Sequence, residues 1–206
     1  MRDNGNRPQR YQVLARESAY RGFFRLDRLQ VQHARFAGGS TPVLNREVFE
    51  RGHSVGVLPY DPRRNAVVLI EQFRVGALEA AGGPWLMEVV AGIYGDQESA
   101  EMVARREMQE ETGGMVTDLW PLYDYLVSPG GTSESSMLYL GRTDSTGLAG
   151  RLCGLPGEGE DIRVHVVAVA EALAMLADGR IRAAMPIIAL QWLALNKARV
   201  DAAWQG

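Results

Sequence analysis

The chain is poor in several things, and each shortage excludes something. One cysteine, Cys153, in 206 residues rules out an intrachain disulfide and fits a reducing compartment. Basic residues are not in excess: 22 Lys and Arg stand against 25 Asp and Glu, a net charge of −3. The isoelectric point of about 5.7 argues against a protein that tracks the nucleic-acid backbone. No apolar run is long enough to span a bilayer, and Met1-Arg2-Asp3-Asn4 opens no signal peptide. The expectation is a cytoplasmic protein with no membrane and no nucleic-acid partner. Repeats and low-complexity segments are also missing.

What is present suits one substantial domain with an appendage: 46% of residues are hydrophobic and 23% charged. Residues 1–9 are polar and expected to be disordered. From Tyr11 to about Glu50 the pattern is strand-like, in the runs YQVLARESAY, GFFRLDRLQVQHARF and TPVLNREVFERG, with a hairpin turn at Gly38-Gly39. Such a small antiparallel sheet cannot bury a core alone and must pack on something. From His53 the strands are more apolar, HSVGVLPY and NAVVLIEQFRV flanking the turn Asp61-Pro62-Arg63-Arg64, followed by WLMEVVAG. Further strands are expected near TDLWPLYDYL, SSMLYLGRT and DIRVHVVAV. Between the last two, Ser145 to Gly159 is glycine-rich and expected to be mobile. Helices are expected from Ala170 to Ala177 and from Pro186 to about Trp204, with Pro186 in a first turn. Strands between helices on two faces predict an αβα sandwich with a mixed sheet, plus the small N-terminal antiparallel sheet. The expected division is residues 1–50 for that sheet and 51–206 for the main domain.

Seven positions carry most of the information: Gly92, Glu98, Arg106, Glu107, Glu110, Glu111 and Gly113. The segment Ser99 to Thr112 has no Gly or Pro and is rich in strong helix formers. Ser99 suits an N-cap, Met102, Val103 and Met108 are expected to be buried, and Gly113-Gly114 stops the helix. At about 100° per residue, Glu107, Glu110 and Glu111 share an arc of about 100°. Three carboxylates on one face repel unless positive charge lies between them, and a hard divalent cation with oxygen ligands is the natural occupant. A solvated charged face is the usual meaning of a Glu-rich helix, but it leaves the glycines and Glu98 unexplained.

This spacing resembles the signature box of the Nudix hydrolases, which cleave a nucleoside diphosphate linked to another moiety. The resemblance implies a loop–helix–loop that binds Mg²⁺ or Mn²⁺. In it Glu107 and Glu111 are ligands, Glu110 is a ligand or close to one, and the carbonyl of Ala91 also reaches a metal. Glu98 and Arg106 become the ion pair bracing the loop against the helix. The family prefers an aliphatic residue after the last glycine, and here it is Gly114.

Four further runs are similar to the bacterial ADP-ribose pyrophosphatases of that family: Phe49–His53, Val67–Arg74, Ser128–Glu134 and Glu160–Val167. This similarity implies a homodimer in which the N-terminal sheet pairs with the other subunit and the active site forms at the interface. It implies that Phe23 stacks on adenine, Arg46 lies over the base and Arg74 contacts the diphosphate, where a guanidinium fork suits phosphate oxygens. Ser128 and Glu134 would lie near the ribose, and Ile93 would line the same pocket.

Cation-bound glutamates are poor bases, so a separate carboxylate must take the proton from water. Glu158 and Glu160 sit in Pro156-Gly157-Glu158-Gly159-Glu160. By resemblance Glu158 is the base and Glu160 a metal ligand; spacing does not separate the two roles. The implied reaction is metal-dependent hydrolysis of ADP-ribose to AMP and ribose 5-phosphate. The alternatives are hydrolysis of another nucleotide sugar such as GDP-mannose, or a non-catalytic ADP-ribose-binding regulator acting on DNA, against which the intact box and the acidic isoelectric point argue.

Overall fold

In a computed structural model of the chain, residues 10–95 and 97–204 are described; the expectation of disorder for residues 1–9 lies outside them. The chain divides into two compact units, residues 1–53 with 126–135, and residues 54–125 with 136–206.

The first unit is built on an antiparallel sheet of β1 (Tyr11–Arg21), β2 (Arg25–His33) and β3 (Leu44–Glu50), with β2 in the middle. Gly38 and Gly39 both have positive φ in the β2–β3 connection, where glycine carries no Cβ penalty. Every residue of β1 is exposed, and the only buried member of β2 is Asp27. Asp27 accepts from Arg16 Nε at 2.6 Å and Arg25 Nε at 2.7 Å, so charge pairing rather than apolar packing marks its centre. The segment 126–135 joins through Phe49, whose N–H donates to the Gly131 carbonyl at 2.8 Å.

The second unit holds the strands β4 (Ser54–Asp61), β5 (Ala66–Phe73), β6 (Trp85–Glu88), β7 (Val90–Ile93), β10 (Leu152–Cys153) and β11 (Ile162–Ala168), with all but the last residue of β8 (Val116–Leu126) and all but the first of β9 (Ser135–Thr143). The sheet runs β10-β11-β5-β4-β9-β8, with β6 paired to β5 and β7 to β4. It is mixed: β4 is parallel to β9 and antiparallel to β5 and β7. Period-two alternation sends Leu58, Tyr60, Val67, Leu69, Leu138 and Leu140 to one face. There they meet α2 (Val169–Ala177) and α3 (Ala184–Trp204). Val55, Val57, Val68, Ile70, Val90 and Val164 point the other way, against α1 (Ala100–Thr112). This is the expected αβα sandwich. Among the described residues, no helix is long and apolar enough to cross a membrane.

Ser99 caps α1 by accepting the Met102 N–H at 3.2 Å, and Gly113 ends it in the left-handed region. Val103 and Met108 are buried as expected, but Met102 is 57% exposed. The buried stripe runs through Val103, Ala104, Met108, Glu111 and Thr112, and Met102 sits about 100° outside it.

Candidate active site

The box folds as strand, loop and helix, and its polar groups are closely interlocked. Glu98 Oε2 accepts the Gly95 N–H at 2.9 Å, and Glu98 Oε1 accepts Arg106 Nε at 3.1 Å. The Arg106 hydrogen bond and the Gly95 N–H hold the Glu98 carboxyl below its ordinary pKa. Arg106 goes further than the sequence foresaw. Its Nη1 also donates to Glu107 Oε1 at 2.8 Å and Glu110 Oε2 at 2.9 Å, so one guanidinium spans three acids. Burial disfavours that charge, but Glu98, Glu107 and Glu110 together raise the Arg106 pKa.

Glu111 is 2% exposed, and its Oε2 accepts the N–H of Ala91 on β7 at 2.9 Å. Burial drives its carboxyl well above the ordinary value; the Ala91 N–H opposes this, Glu107 adds to it, Arg74 opposes it and Glu160 adds to it. Burial likewise pushes Glu107 up to about 7, against the pull of Arg106 and helped by Glu110 and Glu160. Glu110 and Glu160 are thus close enough to act on Glu107, and Glu107, Glu160 and Arg74 close enough to act on Glu111. Among the described residues, no three His, Cys, Asp or Glu side chains already form a closed metal cage. The donor set nonetheless fits a hard divalent cation. Its atoms are carboxylate oxygens, and two of the acids are held in a burial that only nearby positive charge makes favourable to their ionised forms. The backbone leaves room for them: a Cβ on Gly92 would lie 1.8 Å from Glu107 Oε1.

Arg74 follows β5 and donates from Nε to Glu88 Oε2 at 2.7 Å. Glu88 was missed in the sequence; its signal was a single acid in the apolar run WLMEVVAG. Ile93, at the end of β7, is 39% exposed. Glu158 and Glu160 differ. Glu160 Oε2 accepts the Leu155 N–H at 3.0 Å, whereas Glu158 is exposed at the end of a single 3₁₀ turn and has no hydrogen-bonded side chain among the described residues.

The other candidates belong to the first unit. Phe23 is 93% exposed in the β1–β2 turn, with its ring edge-on to Phe24 at 4.7 Å. Arg46 on β3 donates to the Asn45 carbonyl at 2.8 Å. The Ser128 carbonyl accepts the N–H groups of Gly131 and Thr132, closing a tight turn. Glu134 is buried, 3.4 Å from Arg51 Nη1.

The sequence from residue 50 to residue 199 matches the family described as NUDIX domain. The chain belongs to the Nudix family. The chain is 46% identical to the ADP-ribose pyrophosphatase of Escherichia coli K12 over 193 residues, covering 94% of this chain and 92% of that protein. It is 40% identical to the ADP-ribose pyrophosphatase of Haemophilus influenzae, covering 96% and 92%. Similarity to the GDP-mannose pyrophosphatase of Yersinia pestis is lower, 35% over 73% of this chain and 75% of that one. A crystal structure of an ADP compounds hydrolase shares the fold, with a TM-score of 0.67 at 19% identity over 91% and 96% of the two chains.

Gly114, where the family prefers an aliphatic residue, stands against space that is already filled. A Cβ on Gly114 would lie 2.9 Å from Leu148 Cδ1 and 2.9 Å from Met108 Cε. Leu148, 3% exposed, fills from the 145–159 segment the space that an aliphatic residue at 114 would claim.

Proposed function

We propose that this Nudix chain hydrolyses the diphosphate of ADP-ribose to AMP and ribose 5-phosphate, using a divalent cation. The observation that carries the reading is the buried Glu111 carboxylate, fastened to the Ala91 N–H and raised in pKa beside Glu107. The similarity to two bacterial ADP-ribose pyrophosphatases supports the substrate.

Glu107, Glu111, Glu160 and the Ala91 carbonyl would hold the cation, Glu110 assisting. When bound, Mg²⁺ or Mn²⁺ supplies positive charge against the diphosphate and lowers the pKa of a coordinated water. Arg74, oriented by Glu88, offers its fork to the diphosphate oxygens where negative charge develops. Glu158 takes one proton from the attacking water. The new P–O bond forms as the bond to the bridging oxygen breaks, and that oxygen leaves on the departing phosphate. The Glu98–Arg106 pair keeps the loop and α1 in register. Phe23 would stack on adenine, with Arg46 over the base, Ser128 and Glu134 near the ribose, and Ile93 lining the pocket.

The same reading makes the protein a homodimer, because the exposed β1–β3 sheet has little core of its own, with residues 1–50 for dimerisation and 51–206 for hydrolysis. A cytoplasmic location is in keeping with the lone Cys153.

The test is release of AMP from ADP-ribose in Mg²⁺, run beside GDP-mannose. Faster turnover of ADP-ribose supports the reading. Preference for GDP-mannose would move the chain to the second nucleotide-sugar class, favoured here only by the lower Yersinia similarity. Binding of ADP-ribose without AMP release would make it a regulator.

A further inference from the structure

The segment between β9 and β11 carries both loop acids, Glu158 and Glu160. The glycines suggest mobility, yet the segment is fastened to the end of α1 at three points. A helix leaves its last four carbonyls without partners in the helix. Two groups from the segment satisfy such carbonyls: the Gly154 N–H donates to the Glu110 carbonyl at 3.2 Å, and Arg151 Nη1 donates to the Gly113 carbonyl at 3.1 Å. The third point is Leu148, packed over Gly114 and Met108.

Arg151 is the centre of the arrangement. Its Nε donates to the Gly147 carbonyl at 2.7 Å, so one guanidinium bridges the segment and the helix cap. Its backbone is fixed as well, the Arg151 carbonyl accepting the Val164 N–H at 2.9 Å from β11. A cation at a helix C-terminus also meets the negative end of the helix dipole. Gly113, with φ +65°, admits the close approach: a Cβ there would lie 2.7 Å from Arg151 Nη1. Downstream, a Cβ on Gly154 would lie 2.7 Å from the Glu160 Cβ, and the Leu155 N–H holds the Glu160 carboxylate.

We propose that Arg151 is a positioning residue: with Leu148 and Gly154 it docks the 152–160 segment on the C-terminal end of α1, and so sets Glu160 beside Glu107 and Glu111 and fixes the chain that carries Glu158. The inference deepens the hydrolase reading and rests on it for its effect on turnover, but the docking itself has an independent readout. Arg151 is exposed and far from contributing core, so its loss should leave the fold intact.

The experiment compares the full-length wild-type protein with Arg151→Ala, Arg151→Lys and Arg151→Met. Amide hydrogen exchange is measured without metal, and ADP-ribose turnover with Mg²⁺. In Arg151→Ala, exchange in peptides spanning 152–160 should rise by about tenfold while peptides of 100–108 and the melting temperature hold. Its kcat should fall by about tenfold or more with KM within about twofold, because misplaced catalytic groups cost turnover more than ground-state binding. Arg151→Lys, able to reach one carbonyl at a time, should recover part of both losses. Arg151→Met, which keeps the stem, repeats the test if the alanine variant melts early. Unchanged exchange across 152–160, or wild-type kcat with faster exchange, overturns the proposal. If the wild-type protein releases no AMP, the hydrolase reading fails, and the exchange data alone decide the docking.

Discussion

The Cα of Gly92 and the carboxylate of Glu107 are so close that a methyl group on Gly92 would lie 1.8 Å from Glu107 Oε1. The glycine opening the box is therefore a spatial requirement of the acid fifteen residues later, read across from β7 to α1.

Gly92→Ala should expel the Glu107 carboxylate from its place. Turnover of ADP-ribose should drop by about a hundredfold, since a misplaced ligand or catalytic group costs that much. The far-ultraviolet circular dichroism should be unchanged. Wild-type turnover in this variant would mean that Glu107 does not need the position it occupies.

If Glu111 holds the cation as proposed, Glu111→Gln should lower kcat by about a hundredfold or more, through loss of a charged ligand. The metal-free protein should at the same time melt higher at pH 8. The folded-state pKa of Glu111 lies above its unfolded value, so its contribution is fully present below the unfolded pKa and lost as pH rises through the folded one. An amide escapes that loss and can still accept the Ala91 N–H. A lower melting temperature without metal would contradict the account.

Asp61 predicts the acid limb of the stability curve. Burial alone would raise its carboxyl, but the N–H and hydroxyl of Ser145 and the Arg64 side chain and N–H bring it down to about 2. Its contribution is present above the unfolded pKa near 4 and lost as pH falls through about 2. Wild-type protein should therefore lose about 2 kcal/mol across that window that Asp61→Asn does not lose. Denaturant titrations at pH 5, 3 and 2 check this; parallel curves would refute it.

With Glu158 as the proposed base, Glu158→Gln should reduce kcat by about a hundredfold or more with little change in KM, and higher pH should restore part of it as hydroxide replaces the missing carboxylate. Glu160→Gln should shift the Mg²⁺ dependence instead. The opposite pattern would exchange the two roles; two active variants would send the search to Glu134 or Glu110.

Sedimentation at micromolar concentration should give twice the chain mass of 22.6 kDa. An active species at the single-chain mass would rule out the dimer.

Local signals in the sequence determined a good deal. Short apolar runs bounded by turn residues marked the strands of the sandwich, because a strand buried on both faces reads as a continuous apolar run. The Ser99 cap, the Gly113 stop and the spacing of Glu107, Glu110 and Glu111 lie within one helix, where fixed rotation per residue turns spacing into direction. Other relationships were decided only by tertiary structure, since they join residues that chain distance says nothing about. Glu111 meets the Ala91 N–H across twenty residues, Arg74 meets Glu88 across a sheet pairing, and Arg151 meets the Gly113 carbonyl across thirty-eight. Even the unexpected Gly114 made sense only once Leu148 was seen in the space beside it, because close packing constrains volumes rather than sequence positions.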